Sequence, residues 1–204
     1  MNIALNNKVS SLRIKEYLAS SSVIDCSHPS IKGLASQLSN GCNSQTGIAK
    51  KCFEWVRDEI KHSYDYKLNP VTCKASDVLH YRTGYYYAKS HLLAALLRAN
   101  NIPAELCYQR LKIEEGGGEF YCLHGLTTVY LSECGWYRVD PRGNKPGVDA
   151  QFCPPTEKLA FFIKGKTETD LPGIWAEPLD SVVDVLTKYK TYEDVYYNLP
   201  DVKL

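Results

Sequence analysis

His124 and Asp140 are the residues in this sequence whose types and spacing suit acid–base chemistry. His124 interrupts an otherwise apolar strand pattern in CLHGLTTVYL, and Asp140 ends the segment WYRVD just before Pro141-Arg142-Gly143-Asn144. Each alone is commonplace, a core histidine and a turn-forming aspartate. Together they fall on two consecutive strand patterns, so antiparallel pairing would let the carboxylate orient the imidazole. That is the job of the third group in any nucleophile–base–orienter arrangement. The nucleophile position of such a site is well served by the start of a buried helix, where unpaired N–H groups and the helix dipole stabilise an anion such as a thiolate. Tyr85, Tyr86 and Tyr87 stand at the one helix start in the chain that fits this description.

That helix is predicted over Tyr86–Ala99. No Gly or Pro interrupts it, Ala and Leu dominate, and Ala88, Leu92, Ala95, Leu96 and Ala99 form a helical stripe. Leu93, Ala94 and Leu97 fill most of the remaining circumference, which marks a helix buried within a domain. At about 14 residues it is far too short to span a bilayer. Thr83-Gly84 marks its start, and Asn100-Asn101 with Pro103 its end. Upstream, helices are predicted over Ser30–Ser39, Ser44–Lys61 and Ala75–Tyr81, with a polar loop over 63–73. His62, beside the end of the second helix, reads as a structural residue near its negative pole. Residues 12–18 carry a short amphipathic piece that fits either a strand or a helix. Downstream the period changes. Ala104–Ile113, Phe120–Leu131 and Gly135–Asp140 read as strands, with a hairpin tip at Glu114–Glu119 around three glycines. Helices first and an antiparallel meander second imply an α+β fold. The Gly- and Pro-rich stretch beyond Pro141 reads as a wrapping segment that carries a last helix near Asp180–Tyr189. One domain over 1–204 is expected, with a core of about 24–145 and a wrapping segment of about 146–204.

Composition narrows the function classes. The formal charge of +1 gives no reason to expect nucleic acid or an acidic membrane as partner. Residues 1–25 show no secretory pattern and no stretch has transmembrane length, so a cytoplasmic location is expected. The eight cysteines include no C-x-x-C pair, which argues against zinc and thioredoxin patterns, and they are read as mostly free thiols.

The sequence from about Ile24 onward resembles the transglutaminase-like superfamily, most strongly in Thr83–Leu111, in His124–Leu131 and in GWYRVDPRGNKPG from Gly135 to Gly147. The resemblance implies a papain-like core with a buried central helix packed on an antiparallel sheet. It implies Cys-dependent acyl transfer or hydrolysis at an amide or thioester bond. In that family the helix opens with Gly, one residue, then the catalytic Cys; the His follows on one strand and the Asp on the next. His124 and Asp140 match those positions and inherit the roles of general base and orienter. The implied partners are peptide, amine or acyl-thioester substrates, carrier-bound forms included. No metal or organic cofactor is implied, and the D-x-D-x-D-G calcium loop is absent.

One position departs from the pattern. Two residues beyond Gly84, where the family has Cys, this chain has Tyr86. A phenol ionises near pH 10 and a thiol near 8.5, so the phenol is the poorer nucleophile precursor at neutral pH, and it is bulkier. Three accounts follow. Tyr86 replaces Cys in an enzyme whose site is otherwise intact; another group acts, either Tyr86 itself or a thiol such as Cys73 or Cys122; or the domain binds its partner without turnover. Gln109, beside Arg110 in CYQRL, is a candidate oxyanion donor, and Tyr85 and Tyr87 are candidate substrate contacts. Lys89 and His91 on the central helix are read as buried anchors for carbonyl or Glu partners.

Overall fold

The computed structural model describes residues 11–113 and 120–202. Eight helices occur among the described residues: α1 (Ser11–Glu16), α2 (Pro29–Ser39), α3 (Gln45–Glu59), α4 (Ser63–Tyr66), α5 (Ala75–Tyr81), α6 (Tyr86–Ala99), α7 (Asp180–Lys188) and α8 (Tyr192–Tyr196). The strands are β1 (Lys61–His62), β2 (Thr83–Gly84), β3 (Ala104–Ile113), β4 (Phe120–Leu131), β5 (Gly135–Val139) and β6 (Thr169–Asp170). The fold is α+β, as the switch in hydrophobic period implies. The expected hairpin tip at Glu114–Glu119 lies outside the described residues. No described helix is long and apolar enough to cross a membrane.

α6 is buried on every side: Leu92, Leu93, Leu96 and Leu97 have essentially no exposed surface. Each such side chain contributes about 1.5–3 kcal/mol by leaving water. The helix ends where Asn101 takes φ +58° and Ile102 N–H returns to Leu97 O, a left-handed stop that Asn tolerates. Arg98, also buried, donates to the carbonyls of Ala19, Ala104 and Ala176. It thus ties the end of α6 to the start of β3 and to both flanking segments.

β3, β4 and β5 form an antiparallel meander, and β6 pairs with the far side of β3, giving the order β5-β4-β3-β6. One face of the sheet receives α6. Gly125 is required there, because a Cβ would lie 2.9 Å from Tyr87 Cδ1 and 3.3 Å from Tyr87 Cα. The C-terminal part wraps the body: Leu106 and Trp175 exchange backbone hydrogen bonds of 2.8 Å each.

Three local expectations need correction. α3 stops at Glu59 rather than Lys61, because Lys61 and His62 turn extended and pair in parallel with Thr83 and Gly84. The 63–73 loop begins with the single turn α4, N-capped by His62 Nδ1. α8, capped by the Thr191 side chain, and the two-residue β6 have no counterpart in the sequence reading.

Candidate active site

The parallel ladder of β1 and β2 sets His62 opposite Gly84, directly before α6. Gly84 is closely surrounded: a Cβ would meet Ala88 Cβ at 3.1 Å and Thr72 Oγ1 at 3.2 Å. Tyr85 is the N-cap of α6 and makes no side-chain capping bond, so Tyr86 begins the helix among its unpaired N–H groups.

The Tyr86 ring contacts two imidazoles. The His124 ring centroid is 4.5 Å away with planes 49° apart, and the His62 ring stacks at 5.6 Å with planes 17° apart. The Tyr86 hydroxyl sits 3.7 Å from Cys122 Sγ. Burial, aided by Cys122 and Tyr87, holds this phenol well above its usual range, so it stays protonated near neutrality.

His124 Nε2 and Asp140 Oδ2 are 2.7 Å apart, and both side chains are buried. Asp140 also accepts the Arg142 N–H on Oδ1 at 3.0 Å and the Ala160 N–H on Oδ2 at 3.2 Å. Burial opposes ionisation of this carboxyl, but the charge and hydrogen bond of His124 and the two N–H donors outweigh it and hold the pKa below the usual value. With Nε2 engaged, Nδ1 is the imidazole nitrogen left to exchange a proton. Phe161 closes over the same ring edge-on at 5.2 Å.

The structure therefore brings Tyr86, His124 and Asp140 together. Gln109 is the direct cross-strand partner of His124, but its amide nitrogen donates to Asp170 Oδ1 at 3.0 Å. Tyr85 and Tyr87 flank Tyr86, with ring centroids 6.0 Å and 4.4 Å from it. Their hydroxyls donate to the carbonyls of Tyr192 and Leu123 respectively. Burial raises Cys122 to about 11 and Cys73 to about 12, so both thiols are protonated at neutral pH. Lys89 donates to the carbonyls of Arg57 and Ile60, and His91 Nδ1 pairs with the Cys73 carbonyl at 2.9 Å, the anchoring read from the sequence.

Sequence reasoning missed two contributors. His62, read as a residue at a helix end, is 4% exposed and lies against Tyr86. Its Nδ1 lies 3.4 Å from the Asp65 N and 3.5 Å from Asp65 Oδ2; as acceptor of that N–H, the capping role, it leaves the ring proton on Nε2. That Nε2 is buried and lacks a hydrogen-bond partner among the described residues. Burial first and Arg142 second push His62 well below its usual pKa, so the ring is neutral. A residue followed by Ser-Tyr-Asp offers an N-cap signal but nothing that points to Tyr86. The second contributor is the Ala160-Phe161 step, which reaches Asp140 and His124 from a loop without periodic pattern. On the His62 side a polar cleft of about 140 Å³ is lined by residues that include Asp65, Lys89 and Arg142 but neither Tyr86 nor His124. Arg142 and Lys145 pair with Asp65 there; burial opposes its charge, but the hydrogen bonds and charges of these two cations outweigh it and hold its pKa below the usual value. No group of three or more His, Cys, Asp or Glu among the described residues is arranged to hold a metal ion.

The family model of the transglutaminase-like superfamily matches residues 32–141. Among solved structures, a candidate cysteine protease from Cytophaga hutchinsonii is similar, with a TM-score of 0.51 and 18% identity over 66% of this chain and 43% of that chain. The periplasmic domain of TgpA from Pseudomonas aeruginosa gives a TM-score of 0.49 and 21% identity over 66% of this chain and 48% of that one. The chain thus spans less than half the length of either structure. A comparison with curated proteins gives no match.

Proposed function

The chain belongs to the transglutaminase-like superfamily, and on that premise we propose that it carries an acyl-transfer site whose nucleophile position is held by Tyr86. In this reading residue 86 faces the carbonyl of an amide or thioester, His124 takes and returns the proton through Nδ1, and Asp140 orients the imidazole. His62 Nε2–H, a buried donor without a hydrogen-bond partner among the described residues, serves the oxyanion. One observation carries the reading: the 2.7 Å His124–Asp140 contact lies directly beside the first residue of α6.

With a thiol at position 86 the acyl group would pass to sulfur and then to an amine or to water, giving a new amide or hydrolysis. With Tyr86 that route is blocked, because the protonated phenol is a poor nucleophile and its ring fills the space beside His124. The chain as given is therefore impaired in this chemistry. Its partners in this reading are peptide, amine or acyl-thioester substrates, carrier-bound forms included. Residues 1–204 act as one domain, with the segment beyond about 146 completing the core, a division supported by the Ala160–Asp140 and Trp175–Leu106 contacts. A cytoplasmic setting is supported by eight unpaired thiols.

A second reading, a non-catalytic domain that binds such partners, is favoured by the packing of the Tyr86 ring against both His62 and His124. The Tyr86→Cys protein separates the two. It is expected to gain hydrolysis or aminolysis of an activated acyl ester, with His124→Ala abolishing the gain. Equal activity with and without the thiol would mean that residue 86 is not the nucleophile position.

A further inference from the structure

The residues of the site are closed to solvent: Tyr86 is 7% exposed and His124 1%. Residues 199–202 run beside the site, at the edge of β4. β5 covers the outer edge of β4 only from Thr127 to Leu131, and among the described residues the stretch before His124 has no strand neighbour on that side. The Leu123 N–H, one residue before His124, points to this edge and donates to Pro200 O at 2.7 Å. Arg110, the cross-strand partner of Leu123, holds the next residue: Nε and Nη2 donate to the two Asp201 carboxylate oxygens at 2.7 and 2.8 Å. Arg110 Nε also donates to Val202 O at 3.0 Å. Leu199 and Val202 pack against the core. Further back the same segment passes the start of α6, where Tyr192 O accepts the Tyr85 hydroxyl and Tyr196 stacks on Tyr64 at 4.2 Å.

We propose that the edge of β4 at Leu123, which β5 leaves uncovered, forms with Arg110 a docking edge for an extended peptide bearing an acidic residue, and that Leu199–Val202 is its resident occupant in this structure. The contacts have the two parts of strand addition: a main-chain bond that any peptide can make, and a side-chain pocket that selects. Here the pocket is the Arg110 fork, which fits a carboxylate bidentately and favours Asp or Glu immediately after the residue whose carbonyl bonds Leu123. A segment held by hydrogen bonds to the carbonyls of Pro200 and Val202, one ion pair and two partly buried side chains is among the easier parts of a fold to release. An incoming peptide of the same pattern would then lie one residue from His124. The proposal deepens the acyl-transfer reading by naming the substrate as an extended acidic peptide. It rests on that reading only for the reaction, because docking is measurable without turnover.

The test uses the full chain and its L199A/D201A variant, with Tyr86 in place. N-ethylmaleimide labelling of Cys122, which lies at the tail side of the site, is followed by peptide mass spectrometry, and fully buried Cys52 reports global opening. Loss of the bidentate pair is expected to speed Cys122 labelling roughly tenfold or more while Cys52 is unaffected. A synthetic peptide of residues 198–202 should restore protection, and its Asp→Ala form should not. Unchanged Cys122 labelling, a parallel rise at Cys52, or protection indifferent to the peptide's Asp would each overturn the proposal. Failure of the Tyr86→Cys protein to turn over acyl substrate would overturn the acyl-transfer reading and leave this result standing.

Discussion

His62 and Gly84 are direct partners in a two-residue parallel ladder, and that pairing holds the His62 ring parallel to the ring of Tyr86. His62 spends Nδ1 on the cap of α4 and keeps a buried Nε2–H without a hydrogen-bond partner among the described residues. An unsatisfied buried donor costs about 1–3 kcal/mol, which invites a functional account.

If His62 serves the oxyanion, His62→Leu in the Tyr86→Cys background should lower acylation by an activated ester about 10²–10³-fold. Alkylation of the same thiol by iodoacetamide forms no oxyanion and should change little. His62→Gln, which retains an N–H donor, should recover part of the loss. Parallel changes in acylation and alkylation would assign His62 to packing alone.

Asp140 holds His124 and two backbone N–H groups at once. Asp140→Ala leaves them unpaired in the interior and should cost about 3–5 kcal/mol in urea unfolding. The folded carboxyl is held below its usual pKa, so its contribution is present above the unfolded value of about 3.9 and is lost as pH falls through the folded one. A difference between the two proteins that persists unchanged at acid pH would contradict this.

Lys89 predicts a slope at the other end of the scale. Burial first, with Arg142 second, lowers its pKa from 10.5 to about 7. Between pH 7 and 9 the unfolded chain keeps a proton that the folded one sheds, so stability rises with pH in this window. The chain minus Lys89→Met should therefore show a slope of up to about 1.4 kcal/mol per pH unit over pH 7–9 and flatten below 7. The subtraction removes the opposing contribution of the buried thiols and phenols, which are common to both proteins.

Gly125→Ala tests the contact of helix and sheet. The added methyl would meet the Tyr87 ring and, at 3.3 Å, the Tyr87 backbone, which cannot turn aside. Overpacking of this kind costs about 1–3 kcal/mol, and thermal unfolding should show it. A neutral substitution would mean that α6 and β4 can slide apart.

The large periodic elements were legible because their patterns are local. α6 is read from an unbroken Ala/Leu run and β3–β5 from the change of period after it; α6, β3 and β4 stand where the sequence puts them, and β5 ends one residue earlier, at Val139. β1, β2 and β6 are two residues each, too short for any period to register. They exist because a distant segment supplies the partner. The candidate site divides the same way. Tyr86 and His124 could be named because each sits at a recognisable position on a long element, and Asp140 because it directly follows a strand pattern. His62 lies against Tyr86 through a pairing between residues far apart in sequence, and Ala160 and Phe161 reach the site from a loop. The acceptors of Tyr85 and Tyr87, the carbonyls of Tyr192 and Leu123, are equally non-local.

The most direct test is covalent trapping at residue 86. The chain as given, Tyr86→Cys, and Tyr86→Cys with His124→Ala are each incubated with a p-nitrophenyl acyl ester at neutral pH, quenched in acid, and mapped by peptide mass spectrometry. The account predicts one acyl adduct on the α6 N-terminal peptide of Tyr86→Cys, none there in the chain as given, and formation about 10²–10⁴-fold slower without the imidazole. An adduct at that peptide formed equally fast with or without His124, or no adduct on the introduced thiol, would contradict it.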